Sequence, residues 1–239
     1  MAMDDLGNRM KEQYEDRTRY YLPRRLYSVL RIDGKSFHNY TRYAEKPFDY
    51  TLMDQMDQTA KFLCQQVQGA VLGYVQSDEI SILLTDFNKI TSDAWFNGNV
   101  QKICSVSASL ATGYFNWYAG NNVCEGKLAF FDSRVFTFAD PFEVENYFIW
   151  RGGDCSKNSI QMVGRSHFSH KELDGVSTAE IQEMLLKKNV NWNDYPDGAK
   201  RGRAIIYDDS KWTVVAPPVL TQDRSFLRSR IPLIPSWAT

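Results

Sequence analysis

The sequence predicts an α+β fold, and three features carry that prediction. Short runs rich in β-formers alternate with longer amphipathic stretches; two of those runs are separated only by Gln76-Ser77-Asp78-Glu79; and the alternation stops near Asp140. At 239 residues with an ordinary apolar fraction, the chain can bury a sizeable core as one large domain or two small ones.

The elements follow in order. Residues 3–20 are polar and helical in pattern, and Pro23 ends them. Residues 26–32 read as a strand. Residues 50–68 place Leu52, Met56, Ala60, Phe62, Leu63 and Val67 largely on one helical stripe. The apolar runs 71–75 and 80–84 read as a hairpin. A second helix fits 92–115, and LAFFDSRVFTF (128–138) reads as a closing strand. The order β-α-β-β-α-β is that of the split βαβ, or ferredoxin-like, unit, in which the first and third elements become neighbouring strands of an antiparallel sheet. Residues 1–139 are assigned to this unit.

Beyond it come Pro141, the aromatic run Tyr147-Phe148-Ile149-Trp150, Arg151-Gly152-Gly153-Asp154, a helical stretch over 178–188 and a tail with Pro217, Pro218, Pro232 and Pro235. Residues 140–239 are assigned to a mostly helical C-terminal lobe packed on the first.

Composition excludes several classes. No run approaches the roughly 18 to 20 apolar residues of a membrane span, and the charged start MAMDDLGNRMKEQYEDR is no signal peptide. The expectation is an intracellular, cytoplasmic protein without membrane contact. Cys64, Cys104, Cys124 and Cys155 lack CxxC pairing, so they read as reduced thiols, three of them buried. His167 and His170 offer an HxxH pair on one helix face, but with no third ligand nearby packing or phosphate contact is the better reading. A net charge of −1 argues against a uniformly basic nucleic-acid coat. From Lys200 onward, however, Lys200, Arg201, Arg203, Lys211, Arg224, Arg228 and Arg230 face only Asp208, Asp209 and Asp223. That excess can hold phosphate or form a solvated basic face.

Two stretches carry chemistry. In RIDGKSFHNYT (31–41) a strand ends in Asp33-Gly34, giving a hard oxygen ligand, a glycine that lets a ligand approach the backbone, and successive N–H groups from Lys35 to His38 that can form an anion nest. Asp-Gly is also a common turn dipeptide. In GYVQSDEISILL, Asp78 and Glu79 stand side by side, tolerable on a solvated turn or around a cation. Adjacent strands lie about 4.8 Å apart, so Asp33 and Asp78, although distant in sequence, can reach one cation pair. Paired Asp residues on such a sheet suit nucleotidyl transfer with two Mg²⁺ ions about 4 Å apart. Lys46 and Lys102 are candidates for binding the triphosphate, or are ordinary surface lysines.

RIDGKSFHNYT, EKPFD, GYVQSDEISILL, WFNGNVQK, FDSRVF and YFIWRGGDCSKNS together resemble the ordered motifs of the tRNA-His guanylyltransferase-like 3′-to-5′ polymerases, across roughly residues 31–159. The resemblance implies a polymerase palm that extends the 5′ end of tRNA: ATP or GTP activates a 5′-monophosphate, and the 3′-hydroxyl of an incoming NTP attacks the activated end. It implies that Asp33, Asp78 and Glu79 form the catalytic acidic set, with two Mg²⁺ held by Asp33, Asp78 and the Gly34 carbonyl and no metal bond to Glu79. It also implies that Lys35 and the N–H groups of Ser36, Phe37 and His38, with Lys46 and Ser77, hold the nucleotide. Lys102, Arg134, Asp154 and Asn158 fall at phosphate- or RNA-binding positions, and relatives assemble as tetramers. Ser156-Lys157-Asn158-Ser159 stands where eukaryotic members have His-Ile-Asn-Asn, and Asn99 replaces an arginine. These departures resemble the bacterial, archaeal or phage branch, which repairs 5′-truncated tRNA by templated addition. Two other readings stay open: a nucleotide cyclase sharing the palm, whose Gly-Gly-Asp/Glu-Glu-Phe signature is missing here, and a non-catalytic RNA-binding module. Basic residues including Arg24 and Arg25 are candidates for tracking an acceptor stem, and Phe148 and Trp150 read as core.

Overall fold

The computed structural model describes residues 5–120 and 126–237. Its N-terminal helix α1 (Asp5–Met10) runs through a π-turn (Lys11–Glu15) into a 3-10 turn (Asp16–Thr18). Then follow β1 (Tyr27–Gly34), a single helical turn α2 (Phe37–Tyr40), α3 (Tyr50–Gln66), β2 (Ala70–Gln76), β3 (Glu79–Leu84), α4 (Val100–Ala119) and β4 (Phe131–Phe138). The βαββαβ order is as expected. The neighbours of β1 are β3 on one side and β4 on the other, so its partner in the hairpin is the fourth element of that order rather than the third.

The C-terminal region opens with α5 (Pro141–His167), 27 residues long, capped by the Asp140 carboxylate on the Phe142 N–H at 2.7 Å. Short helices α6 (His170–Leu173), α7 (Thr178–Leu186) and α8 (Asp197–Arg201) follow. Two further strands come next, β5 (Arg203–Asp208) and β6 (Lys211–Val215), and then a helical turn α9 (Ser225–Arg228). The two strands extend the sheet to six in the order β4-β1-β3-β2-β5-β6. The run Ala204-Ile205-Ile206 is the strand signal, and it pairs with β2 across Leu72–Val75.

Alternation along the strands divides the core. Leu30, Ile32, Ile80, Ile82 and Ile205 pack with Met56, Leu63 and Phe115 of α3 and α4 on one face. Val29, Leu72, Tyr74, Leu83 and Ala204 pack with Val144, Tyr147 and Phe148 of α5 on the other. A third cluster joins Ile160 and Val163 of α5 to Ile181 and Leu185 of α7.

Several boundaries move for local reasons. The second helix starts at Val100, because Phe96 and Asn97 adopt positive φ in a 3-10 turn and the Asn99 carboxamide caps the Lys102 N–H at 3.0 Å. Strand β4 starts at Phe131, because the Asn116 side chain of α4 takes both the N–H and the carbonyl of Ala129. Cys64 and Cys155 are buried and Cys104 is half-buried; Cys124 and residues 3 and 4 lie outside the described residues. His167 ends α5 and His170 starts α6, with the Ser169 capping box between them, so the pair does not share a helix face. Phe148 is core, whereas Trp150 is 53 % exposed, its ring stacked on the Arg151 guanidinium. Most of the C-terminal cations are tied internally: Lys200 and Arg201 to Asp197, Arg203 to Asp57, and Arg224 and Arg228 to the buried Glu145. Arg24 and Arg25 likewise clamp Asp86. No described helix is long and apolar enough to cross a membrane.

Candidate active site

The first strand carries Asp33 and Gly34 to the sheet's end, where the register sets Asp33 between Glu79 of β3 and Asp132 of β4. The turn between β2 and β3 is only Ser77-Asp78, with Ser77 at φ 46. The Gly34 N–H donates to the Asp78 carbonyl at 3.1 Å, so the two acidic stretches are backbone neighbours. A Cβ on Gly34 would lie 2.4 Å from the Phe37 ring and 2.9 Å from an Asp78 carboxylate oxygen. Glycine is therefore required here by close packing.

After Gly34 the chain turns sharply. The Lys35 N–H donates to the Phe130 carbonyl at 2.8 Å and so is not part of a nest. Ser36 takes the left-handed conformation (φ 51, ψ 38) and leads into α2. The N–H groups of Ser36, Phe37 and His38 have no protein acceptor among the described residues, as expected where a helix begins. Phe37 is held by its ring, 5 % exposed and packed on Tyr40, Phe115 and Phe131. Its contribution to a ligand is thus its backbone.

These N–H groups open onto a cleft of about 420 Å³, within the range of small-ligand pockets. Gly34, Ser36, Phe37, His38, Ser77, Asp78 and Asn158 all line it, which unites seven of the residues singled out from the sequence. Asp33 stands beside it with Arg134, whose guanidinium is 3.8 Å from the Asp33 carboxylate and 3.1 Å from Asp132. Lys46, Lys102 and Asp154 are not in the cleft wall. Lys46 is exposed in the loop before α3, and Lys102 sits on α4 with its ammonium over the Phe96 ring. Asp154 accepts from Arg151 at 2.9 Å one helical turn away.

Electrostatics separates the acids. Burial raises the Asp33 carboxyl above its ordinary value, and Glu79 and Asp132 push it further than Arg134 and Arg31 pull it back. Burial also raises Asp78, against hydrogen bonds from its own N–H and the Ser77 hydroxyl. Two half-buried carboxylates with raised pKa, beside the Gly34 backbone, fit Mg²⁺, which takes one or two carboxylates and completes its shell with water and phosphate oxygens. Glu79 differs. It is 8 % exposed and accepts two parallel bonds from Arg151, both 2.8 Å, with a further one from Gln76 at 3.2 Å. Among the described residues no group of three or more His, Cys, Asp or Glu side chains is placed to hold a metal. Any ion here would rest on two carboxylates, backbone and ligand oxygens.

Arg151, Gln76, Asp57 and Arg203 also shape the site, none of them marked as a site residue by the sequence pattern. Arg151 lay within the quoted Arg-Gly-Gly-Asp run, whose charge was the available signal. Arg203, one of the C-terminal cations, is 6 % exposed, lines the cleft and donates to Asp57 at 2.7 Å.

A ferredoxin-like sheet with paired acids at its end, beside a turn of open N–H groups over a cleft, defines a nucleotidyltransferase of the palm class. Residues 7–139 match the family described as tRNAHis guanylyltransferase, and the chain belongs to that family. It is similar over 96 % of its length to all of a bacterial tRNA(His) guanylyltransferase-like protein in complex with ATP, at 45 % identity and a TM-score of 0.91. It is similar, over the same 96 %, to such a protein in complex with GTP, at 41 % identity and a TM-score of 0.83. The tRNA(His) guanylyltransferase of Schizosaccharomyces pombe is 29 % identical over 203 residues, 78 % of this chain and 76 % of that one.

Proposed function

We propose that the protein adds nucleotides in the 3′-to-5′ direction to the 5′ end of tRNA, repairing truncated ends under the direction of a template. The observation that carries this reading is the meeting of Asp33, Asp78 and the Ser36–His38 N–H groups at one cleft mouth. Those N–H groups can donate to a triphosphate, because adjacent backbone dipoles hold an anion without bringing a charged side chain close to the acids. The Asn158 carboxamide supplies a further neutral donor from α5. Arg134 holds Asp33 on the β4 side and carries positive charge toward the incoming 5′-phosphate. Mg²⁺ bound at Asp33 and Asp78, with the Gly34 carbonyl, would neutralise the charge that develops on the phosphates.

The bacterial relatives hold ATP and GTP in their structures, which supports either purine triphosphate as the activating nucleotide. Asn99 capping α4 supports the departure from strict G addition, since the position is occupied in helix formation. The Lys102 and Lys46 assignments require movement toward the cleft when RNA or nucleotide binds. A tetramer in the cytoplasm is the assembly we propose, supported by the exposed aromatics Trp117 and Tyr118 on α4.

The test is incorporation of labelled NTP onto a 5′-truncated, 5′-monophosphorylated tRNA with Mg²⁺. Loss of incorporation in Asp33→Ala and Asp78→Ala is expected; wild-type rates in both variants would refute the metal assignment. Light scattering on the purified protein tests the assembly, and a strict monomer counts against the tetramer.

A further inference from the structure

The sheet face beneath α5 leads to Asp33. Val29 and Leu83 on that face pack against α5, and at two-residue steps beyond them stand Arg31 and Asp33 on β1, and Ser81 and Glu79 on β3. On β4 the same face runs from Phe136, whose ring is 5.5 Å from that of Tyr147, to Arg134 and Asp132. Two residues of α5 anchor the helix here: the Tyr147 hydroxyl is 2.8 Å from that of Ser81, and Arg151 donates twice to Glu79. Trp150 touches both, its ring 6.0 Å from Tyr147 and 4.4 Å from the Arg151 guanidinium. The indole therefore belongs to the face that carries Asp33 and Arg134, and it does not line the nucleotide cleft.

Trp150 is 53 % exposed and yet held in place. The guanidinium against it is fixed on Glu79 through Nε and Nη2 and on Asp154 through Nη1, at 2.9 Å. A ring stacked on a fixed cation has little freedom left to lose when a ligand binds. Its surroundings are charged, with the side chains of Arg134 and Asp132 48 % and 57 % exposed, so an apolar protein surface is a poor complement. A nucleotide is a good one: it joins a flat π face to a phosphate, as this face joins an exposed indole to an exposed guanidinium.

We propose that Trp150 is the platform on which the 5′-terminal base of the RNA stacks, holding the phosphate of that nucleotide beside Arg134 and Asp33. The proposal rests on the reading of the protein as one that extends a tRNA 5′ end. Every base has a π face, so the platform accepts any terminal base and leaves selection to the template.

Equilibrium binding of a 5′-truncated, 5′-monophosphorylated tRNA, without nucleotide, tests this on the full chain, beside the same RNA with its 5′-terminal nucleotide made abasic. Trp150→Leu, which leaves apolar bulk on Arg151, and Trp150→Phe, which keeps a ring, are compared with the wild type once their urea midpoints are known. The wild type is expected to bind the intact RNA about tenfold tighter than the abasic one, the value of one stacked base. In Trp150→Leu that ratio is expected to fall to about one through weaker binding of the intact RNA, and Trp150→Phe restores most of it. GTP affinity is expected to stay at the wild-type value in both. A wild type indifferent to loss of the base overturns the platform even where the leucine variant fails to fold, and a folded leucine variant that keeps the full ratio overturns it as well. Either result leaves 5′-end addition standing if labelled NTP is still incorporated in an Asp33-dependent manner. A wild type that binds neither RNA overturns the functional reading and this proposal together.

Discussion

Two acids three bonds apart along the backbone, Asp78 and Glu79, show how differently one hairpin can treat a carboxylate. Glu79 is buried on the α5 face, where Arg151 grips both its oxygens. Asp78, in the turn, and Asp33, across from Glu79, have burial and like charge around them and only distant or exposed cations. If Asp33 and Asp78 take a ligand as proposed, the contrast is that Glu79 is given its counter-charge by the fold while the other two are left for the ligand to complete. The difference teaches that adjacent acids in one hairpin meet different surroundings, with Glu79–Arg151 joining α5 to the hairpin that presents Asp78.

Substitutions break this comparison in opposite ways. The largest effect is expected for Asp78→Asn or Asp33→Asn: nucleotide incorporation falls by about 10³-fold or more, as removal of a metal ligand implies. The thermal midpoint of the metal-free protein is expected to stay level or rise, since an unfavourable buried charge is gone. Next comes Arg151→Met, which leaves Glu79 buried and unpaired and is expected to destabilise by about 3 to 5 kcal/mol in urea unfolding. Adding Glu79→Gln should recover most of that loss. If Arg151→Met unfolded at the wild-type urea concentration, the ion pair would not be what joins α5 to the hairpin. Third, Gly34→Ala forces the Phe37 ring or Asp78 aside and is expected to cost about 1 to 3 kcal/mol, with weaker triphosphate binding because Phe37 carries the N–H turn.

The same contrast explains what was legible in the sequence. Asp33, Gly34 and Asp78 were visible because strand endings and a two-residue turn are local signals, and the βαββαβ order then brought them together. The N–H turn was legible too, except that Lys35 donates to Phe130, a partner 95 residues on (130 − 35) that no local pattern announces. Arg151, Arg203 and Asp57 were not legible, because each finds its partner across elements: β3 with α5, and β5 with α3. The basic tail misled for the same reason. Counting charges from Lys200 onward showed an excess, but Glu145 lies on α5, outside the counted segment, and absorbs two of those cations. Strand β5 was hidden because the four residues Ala204–Tyr207 between charged ones are as consistent with a loop as with a strand extending a distant sheet.

The smallest predicted effect sharpens the comparison through pH. Asp78 and Asp33 have folded-state pKa values raised above the ordinary one, with burial the first cause in both. Between the unfolded and folded values the native state binds more protons than the unfolded state, so unfolding free energy decreases as pH rises through that window. In EDTA, therefore, the thermal midpoint of the wild type should climb, relative to Asp78→Asn, as pH is lowered from neutral toward the ordinary carboxylate range. Glu79→Gln, which removes the two-bond ion pair with Arg151, is expected to lower stability throughout while leaving the acid-side climb in place. Mg²⁺ should reverse the trend, because a bound cation favours the ionised acids and its stabilisation grows with pH. A wild-type profile in EDTA that runs parallel to that of Asp78→Asn would mean that Asp78 meets no more resistance to ionisation than a solvated carboxylate, and the division between the two acids would fail at its physical basis.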